Sequence, residues 1–155
     1  MYLDRPLIQY NVSENAAEQI NTTDYAQQQP RLDANGKEIG KQDVGAGRVA
    51  AGIWPWKCDG TNYQYNYSHG NTASTIMFCG GNSVNNTFRY NISQNEDMGP
   101  LDPAGNSGNC QVYNNTFYIK EGLNTIWHRS HGNGGPVDME NNIFYFAGNT
   151  PVNVK

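Results

Sequence analysis

Asp97 and Asp102, five positions apart with Glu96 beside the first, are the side chains best suited to carry chemistry. Acid-catalysed cleavage of a glycosidic bond needs two carboxyl groups, about 5 Å apart for retention of configuration or about 6.5 to 9.5 Å for inversion. We assign Asp102 as nucleophile or base and Asp97 as acid. The reverse assignment stays open, because no residue pattern shows which environment raises a carboxyl pKa. Taken singly, each aspartate also fits an ordinary turn, Asp102 above all in Leu101-Asp102-Pro103. Their shared location is what raises the pair.

Trp54 and Trp127 supply indole faces of the kind that stack on sugar rings, and packing under loops is the plain alternative for both. His69 and Glu96 are candidates to bind substrate hydroxyls, although a solvated turn histidine describes His69 equally well. Arg129 suits an acidic sugar or, in a lyase, the base that removes a proton alpha to a uronate carboxylate. Glu96, Asp97 and Asp102 offer hard oxygen ligands of the type calcium takes. No EF-type spacing accompanies them, so no metal ligand is assigned and calcium is the lesser expectation.

The elements that must position these side chains repeat. Apolar anchors at Ile53, Ile76, Leu101 and Ile126 stand 23, 25 and 25 residues apart, and Asn66, Asn91, Asn115 and Asn142 follow one another by 25, 24 and 27. Two registers with one period mark a repeat array. Short apolar runs between Gly/Asn/Ser turns make the repeat a strand solenoid, with rungs stacking at roughly 4.8 Å. The recurrent Asn is expected to take the left-handed corner conformation and to hydrogen-bond the same amide one rung away.

These repeats resemble the right-handed parallel β-helix of the pectin-lyase-like superfamily over Ile53 to Phe146, and more weakly back to Leu7-Ile8-Gln9-Tyr10-Asn11-Val12-Ser13. The expected fold is an all-β, right-handed parallel β-helix of about five rungs. The phrases Gln64-Tyr65-Asn66-Tyr67-Ser68-His69, Arg89-Tyr90-Asn91-Ile92-Ser93-Gln94-Asn95 and Val112-Tyr113-Asn114-Asn115-Thr116-Phe117-Tyr118 look like secreted bacterial β-helix proteins of carbohydrate metabolism, glycoside hydrolase family 136 first among them. That resemblance implies a retaining hydrolase with two aspartates on the helix face, releasing a disaccharide from host glycans outside the cell or at its surface. A calcium-dependent polysaccharide lyase and a non-catalytic glycan-binding or adhesion solenoid are the alternatives, since one fold carries several chemistries.

Alternation along a strand sends the residues after the anchors outward, which aligns Trp54, Met77, Asp102 and Trp127 in one row. The step from Asn11 to Ile53 is 42 residues where the later equivalents are 10 or 11, so a loop insertion of about 31 residues is expected at about 14–48. The spacing also predicts a strand beginning at or before position 1 and another near Val152-Asn153-Val154. The 155 residues are therefore expected to form a single partial β-helix domain without end caps, completed by another chain or domain.

Composition agrees with thin stacked cores: 37% hydrophobic residues, 17 Gly, and ten Tyr with five Phe and three Trp, too aromatic for disorder. A net charge of −4 without a basic run excludes the usual nucleic-acid footprint. No apolar run approaches the roughly 20 residues of a membrane span. Cys58, Cys79 and Cys110 lack paired spacing and are expected as buried structural thiols. The expected partner is an oligosaccharide or polysaccharide.

Overall fold

The computed structural model describes residues 5–15, 29–32, 35–42, 51–54, 57–77, 83–103, 108–126 and 136–149, with backbone alone at 29–32, 38–42 and 77. Its strands are β1 (Leu7–Gln9), β2 (Val12–Glu14), β3 (Gln29–Leu32), β4 (Glu38–Gln42), β5 (Asn62–Gln64), β6 (Tyr67–His69), β7 (Ile76–Met77), β8 (Thr87–Arg89), β9 (Ile92–Gln94), β10 (Leu101–Asp102), β11 (Cys110–Tyr113), β12 (Thr116–Ile119), β13 (Val137–Glu140) and β14 (Ile143–Phe146). The first sheet stacks β1, β5, β8, β11 and β13, and the second stacks β2, β6, β9, β12 and β14. The third pairs β7 with β10 and is extended by a bridge from Ile53 to Ile76. All these pairings are parallel and join strands one full turn apart, so the chain is a right-handed parallel β-helix. Strands β3 and β4, in the interval expected as an insertion, pair with each other antiparallel. Among the described residues no helix is long and apolar enough to cross a membrane.

Corners at three places in the rung set its shape. Arg5, Gly60, Asn85 and Asn109 take positive φ at the first; Tyr10, Tyr65, Tyr90, Asn114 and Asn141 at the second; Asn15, Gly70 and Asn95 at the third. The second corner corrects one expectation. The left-handed residue is not the repeated Asn but the one before it, at φ between 52° and 58°. The Asn itself closes the turn: the Nδ2 of Asn91 donates to the Arg89 carbonyl at 2.8 Å and to the Tyr63 carbonyl of the previous rung at 3.0 Å. A left-handed Tyr is costly, by about 1–3 kcal/mol. Stacking of Tyr10 on Tyr65 and of Tyr65 on Tyr90, with ring centroids 5.5 and 5.3 Å apart, offsets part of it.

The expected amide ladder is present. Nδ2 of Asn11, Asn66, Asn91 and Asn115 each donates to Oδ1 of the next Asn in the series, at 2.9 to 3.0 Å, ending on Asn142.

The core runs as columns. Ile8, Tyr63, Phe88, Val112 and Met139 face inward from the first sheet in register. Ile76 and Leu101 face inward from the third and are fully buried. The second-sheet column changes character along the axis: Ser13, Ser68 and Ser93 occupy it first, then Phe117 and Phe144, whose rings stack 4.9 Å apart. Cys58 and Cys110 are buried as expected, and Cys79 lies outside the described residues.

Candidate active site

The third sheet carries two of the sequence candidates, Asp102 in β10 and Trp54 beside the Ile53 bridge. Leu101 pairs with Ile76 and Asp102 with Met77, while Ile53 bridges Ile76. Trp54 and Asp102 therefore occupy equivalent positions two rungs apart, roughly 10 Å at the usual strand spacing. Trp127 and Arg129 lie outside the described residues, and nothing of the Met77 side chain is described.

The open row expected here is only partly open. Trp54 is 52% exposed, but Asp102 is completely buried. Leu101, Asp102 and Pro103 are all buried, so both sides of this strand are covered and alternation no longer sorts core from solvent. A cavity of about 430 Å³ opens beside Trp54, with Tyr67, Asn11, Ser13 and Ser68 also on its wall.

Asp97 is exposed at the third corner and forms an ion pair with Lys120 of the next rung. Between the two aspartates the chain passes through Gly99 at φ +111°, a conformation that disfavours side chains. A Cβ there would also come within 3.3 Å of the Thr125 carbonyl oxygen.

Glu96 does not stand where a substrate contact needs it. It is 2% exposed and points inward, opposite to Asp97, which also separates the trio considered for calcium. Among the described residues no group of three His, Cys, Asp or Glu side chains converges as a metal site would require. The Oε1 of Glu96 accepts from the Ser68 hydroxyl at 2.5 Å, the Thr75 hydroxyl at 3.1 Å and Asn71 Nδ2 at 3.3 Å, and Oε2 accepts from the Asn71 backbone N–H at 2.8 Å. Burial raises its pKa above the ordinary glutamate value, and these four donors oppose the rise.

His69 lies in register with Gln94 as the corner alignment requires, but on the outer face of the second sheet, where it stacks on Tyr67 at 6.2 Å. The cluster of Ser68, Asn71, Thr75 and Ser93 around Glu96 was not singled out from sequence. A signal existed, since Tyr67-Ser68-His69 and Ile92-Ser93-Gln94 place Ser where Thr116-Phe117-Tyr118 places Phe.

No family model matches the chain. Lacto-N-biosidase of Bifidobacterium longum subsp. longum is 37% identical over 181 residues, covering 97% of this chain and 10% of that protein. The chain is a homologue of part of the GH136 lacto-N-biosidases. Crystal structures of GH136 lacto-N-biosidase from Eubacterium ramulus, as selenomethionine derivative and as native protein, superpose with a TM-score of 0.61 at 30% identity. They cover 93% and 92% of this chain and 25% of theirs. The GH136 relatives thus match nearly all of this chain, which spans a tenth to a quarter of their own length.

Proposed function

We propose that this β-helix segment carries a glycoside-hydrolase site of the lacto-N-biosidase type, which releases a disaccharide from an oligosaccharide. The observation that carries the proposal is the homology across nearly the whole chain, joined to a third-sheet face that aligns an exposed indole with a carboxyl group. Asp102 is the nucleophile or base and Asp97 the acid. Trp54 stacks on a sugar ring, and Trp127 and Arg129 complete the binding surface.

Access to Asp102 requires the cover over β10 to open, because the side chain is closed off from solvent. That gives the site a dry interior in which a carboxyl group acts on a glycosidic bond without competition from bulk water. No cofactor is assigned, and a neighbouring domain or chain completes the groove. Action outside the cell is part of the proposal, since free glycans are the substrate class. The GH136 relatives are biosidases, which favours hydrolysis over β-elimination at Arg129 and over a purely adhesive solenoid.

The test is a product assay of the protein in its native reading frame, against neutral and uronic-acid oligosaccharides. Saturated disaccharide with a new reducing end is expected. Unsaturated uronate products, or saturable binding without any product, would overturn the proposal.

A further inference from the structure

The serines in the second-sheet column make room for a polar group inside an otherwise apolar solenoid. One turn further on, Phe117 and Phe144 fill the equivalent space. A buried carboxylate surrounded by hydroxyls and an amide is a costly substitute for stacked aromatics, since desolvating polar groups opposes folding unless every one is paired. Its position shows what it does.

The Glu96 cluster sits immediately upstream of three successive rungs of the third sheet, at the Ile53 bridge, β7 and β10. On its own rung, the chain runs from Glu96 through Pro100 into Leu101 and Asp102. One rung back, Asn71 and Thr75 contact the carboxylate and lead into Ile76. The Asp97 N–H donates to the Asn71 carbonyl and the Thr75 N–H to the Pro100 carbonyl, both at 3.0 Å, so the two rungs are locked together at this point. One rung further back, Gly52 closes over the cluster: a Cβ there would meet Ser68 Oγ at 2.6 Å. Gly52 and Ile53 donate to the carbonyls of Ser74 and Thr75 at 2.9 and 2.8 Å, which fixes the approach to Trp54. The Thr75 hydroxyl has a single proton and lies 2.5 Å from Ser93 Oγ as well as 3.1 Å from Glu96, so it ties β9 into the same network.

We infer that Glu96 is a positioning residue for the hydrolytic face: its buried carboxylate sets the mutual register of the segments that present Trp54, Asp97 and Asp102. The inference rests on the proposed hydrolase site, but its first consequence is readable without activity. Glu96 touches no substrate; it acts through Asn71 and Thr75.

Glu96→Gln is the informative change. The amide oxygen can keep the three Oε1 contacts, whereas its NH₂ faces the Asn71 N–H, donor against donor. Hydrogen exchange of the Glu96→Gln protein is expected to speed up by about tenfold or more in amides of 71–77 and 97–102, with no change in β11 and β12. In the same variant kcat should fall by about tenfold to a hundredfold, with KM altered far less, because misplacement of reacting groups by small distances is expensive. Val112→Ala, a core change in β11, is the control and should lower the melting temperature without lowering kcat per folded molecule. Should Glu96→Gln disrupt folding, Thr75→Val removes one donor and is expected to give the same localised exchange.

Unchanged exchange at 71–77 and 97–102, or equal kcat losses in Glu96→Gln and Val112→Ala, would overturn the inference. Localised exchange in a protein whose Asp102→Asn variant keeps full activity would instead overturn the hydrolase assignment and leave the register role of Glu96 standing.

Discussion

The Asn91 side chain donates to Asn115 Oδ1 at 3.0 Å while its own Oδ1 accepts from both the backbone and the side-chain amide of Asn66 at 2.9 Å. It therefore joins three rungs from a site that is only 2% exposed. Asn91→Ala leaves buried donors of Asn66 without an acceptor, which predicts a loss of about 2–4 kcal/mol given about 1–3 kcal/mol per orphaned group. The midpoint of urea unfolding should drop with little change in slope. A loss within about 0.5 kcal/mol, the range of neutral surface changes, would show that the ladder is ornamental.

Glu96 gives stability a definite pH dependence. Burial, the main cause, holds its folded pKa above the ordinary glutamate value. The native state therefore binds more protons than the unfolded state between the two values. The contribution is fully present below the unfolded pKa and is lost as pH rises through the folded one. Wild type should lose melting temperature relative to Glu96→Gln as pH rises from about 4 to about 8. Parallel curves would remove Glu96 as the titrating group.

The Asp97–Lys120 pair is a surface contact, with the side chains 47% and 39% exposed, respectively. Lys120→Ala should change unfolding free energy by no more than about 1 kcal/mol. The effect should shrink further in high salt. A large, salt-independent loss would mean that Lys120 does more than screen Asp97.

Trp54 presents half its surface to solvent, and no described aromatic neighbour stacks on it. Trp54→Ala should leave the melting temperature nearly unchanged while weakening oligosaccharide binding by about tenfold, the worth of a stacking contact of about 1–1.5 kcal/mol. Calorimetric titration reads the affinity and a calorimetric temperature scan the melting temperature. Unchanged affinity would make Trp54 a packing residue.

The solenoid was legible in the sequence because its signals are local and repeated. Ile53, Ile76 and Leu101 stack in the register that their spacing predicts, and the asparagines form the expected ladder. The exchange of roles at the second corner was legible too, in the pairs Tyr65-Asn66, Tyr90-Asn91 and Asn114-Asn115, but the known tolerance of Asn for positive φ drew attention to the wrong member.

The site was harder for a physical reason. Alternation assigns a side chain to one of two faces, yet it does not say whether the outer face is covered. Asp102 took the expected register and proved buried, whereas Trp54 in the same row is exposed. Glu96 and Asp97 look interchangeable as neighbouring acids, and only the serines at Ser68 and Ser93 show which one has room inside. Their counterparts Phe117 and Phe144 mark where that room ends.

The most direct test of the hydrolytic assignment is the turnover of Asp102→Asn beside wild type in the native reading frame, on an oligosaccharide with a terminal disaccharide. Loss of kcat by about 10²-fold or more with binding of the oligosaccharide retained is the expected result for a carboxyl group that acts in the bond-breaking step. Full turnover in Asp102→Asn would contradict it and place the chemistry elsewhere on the helix.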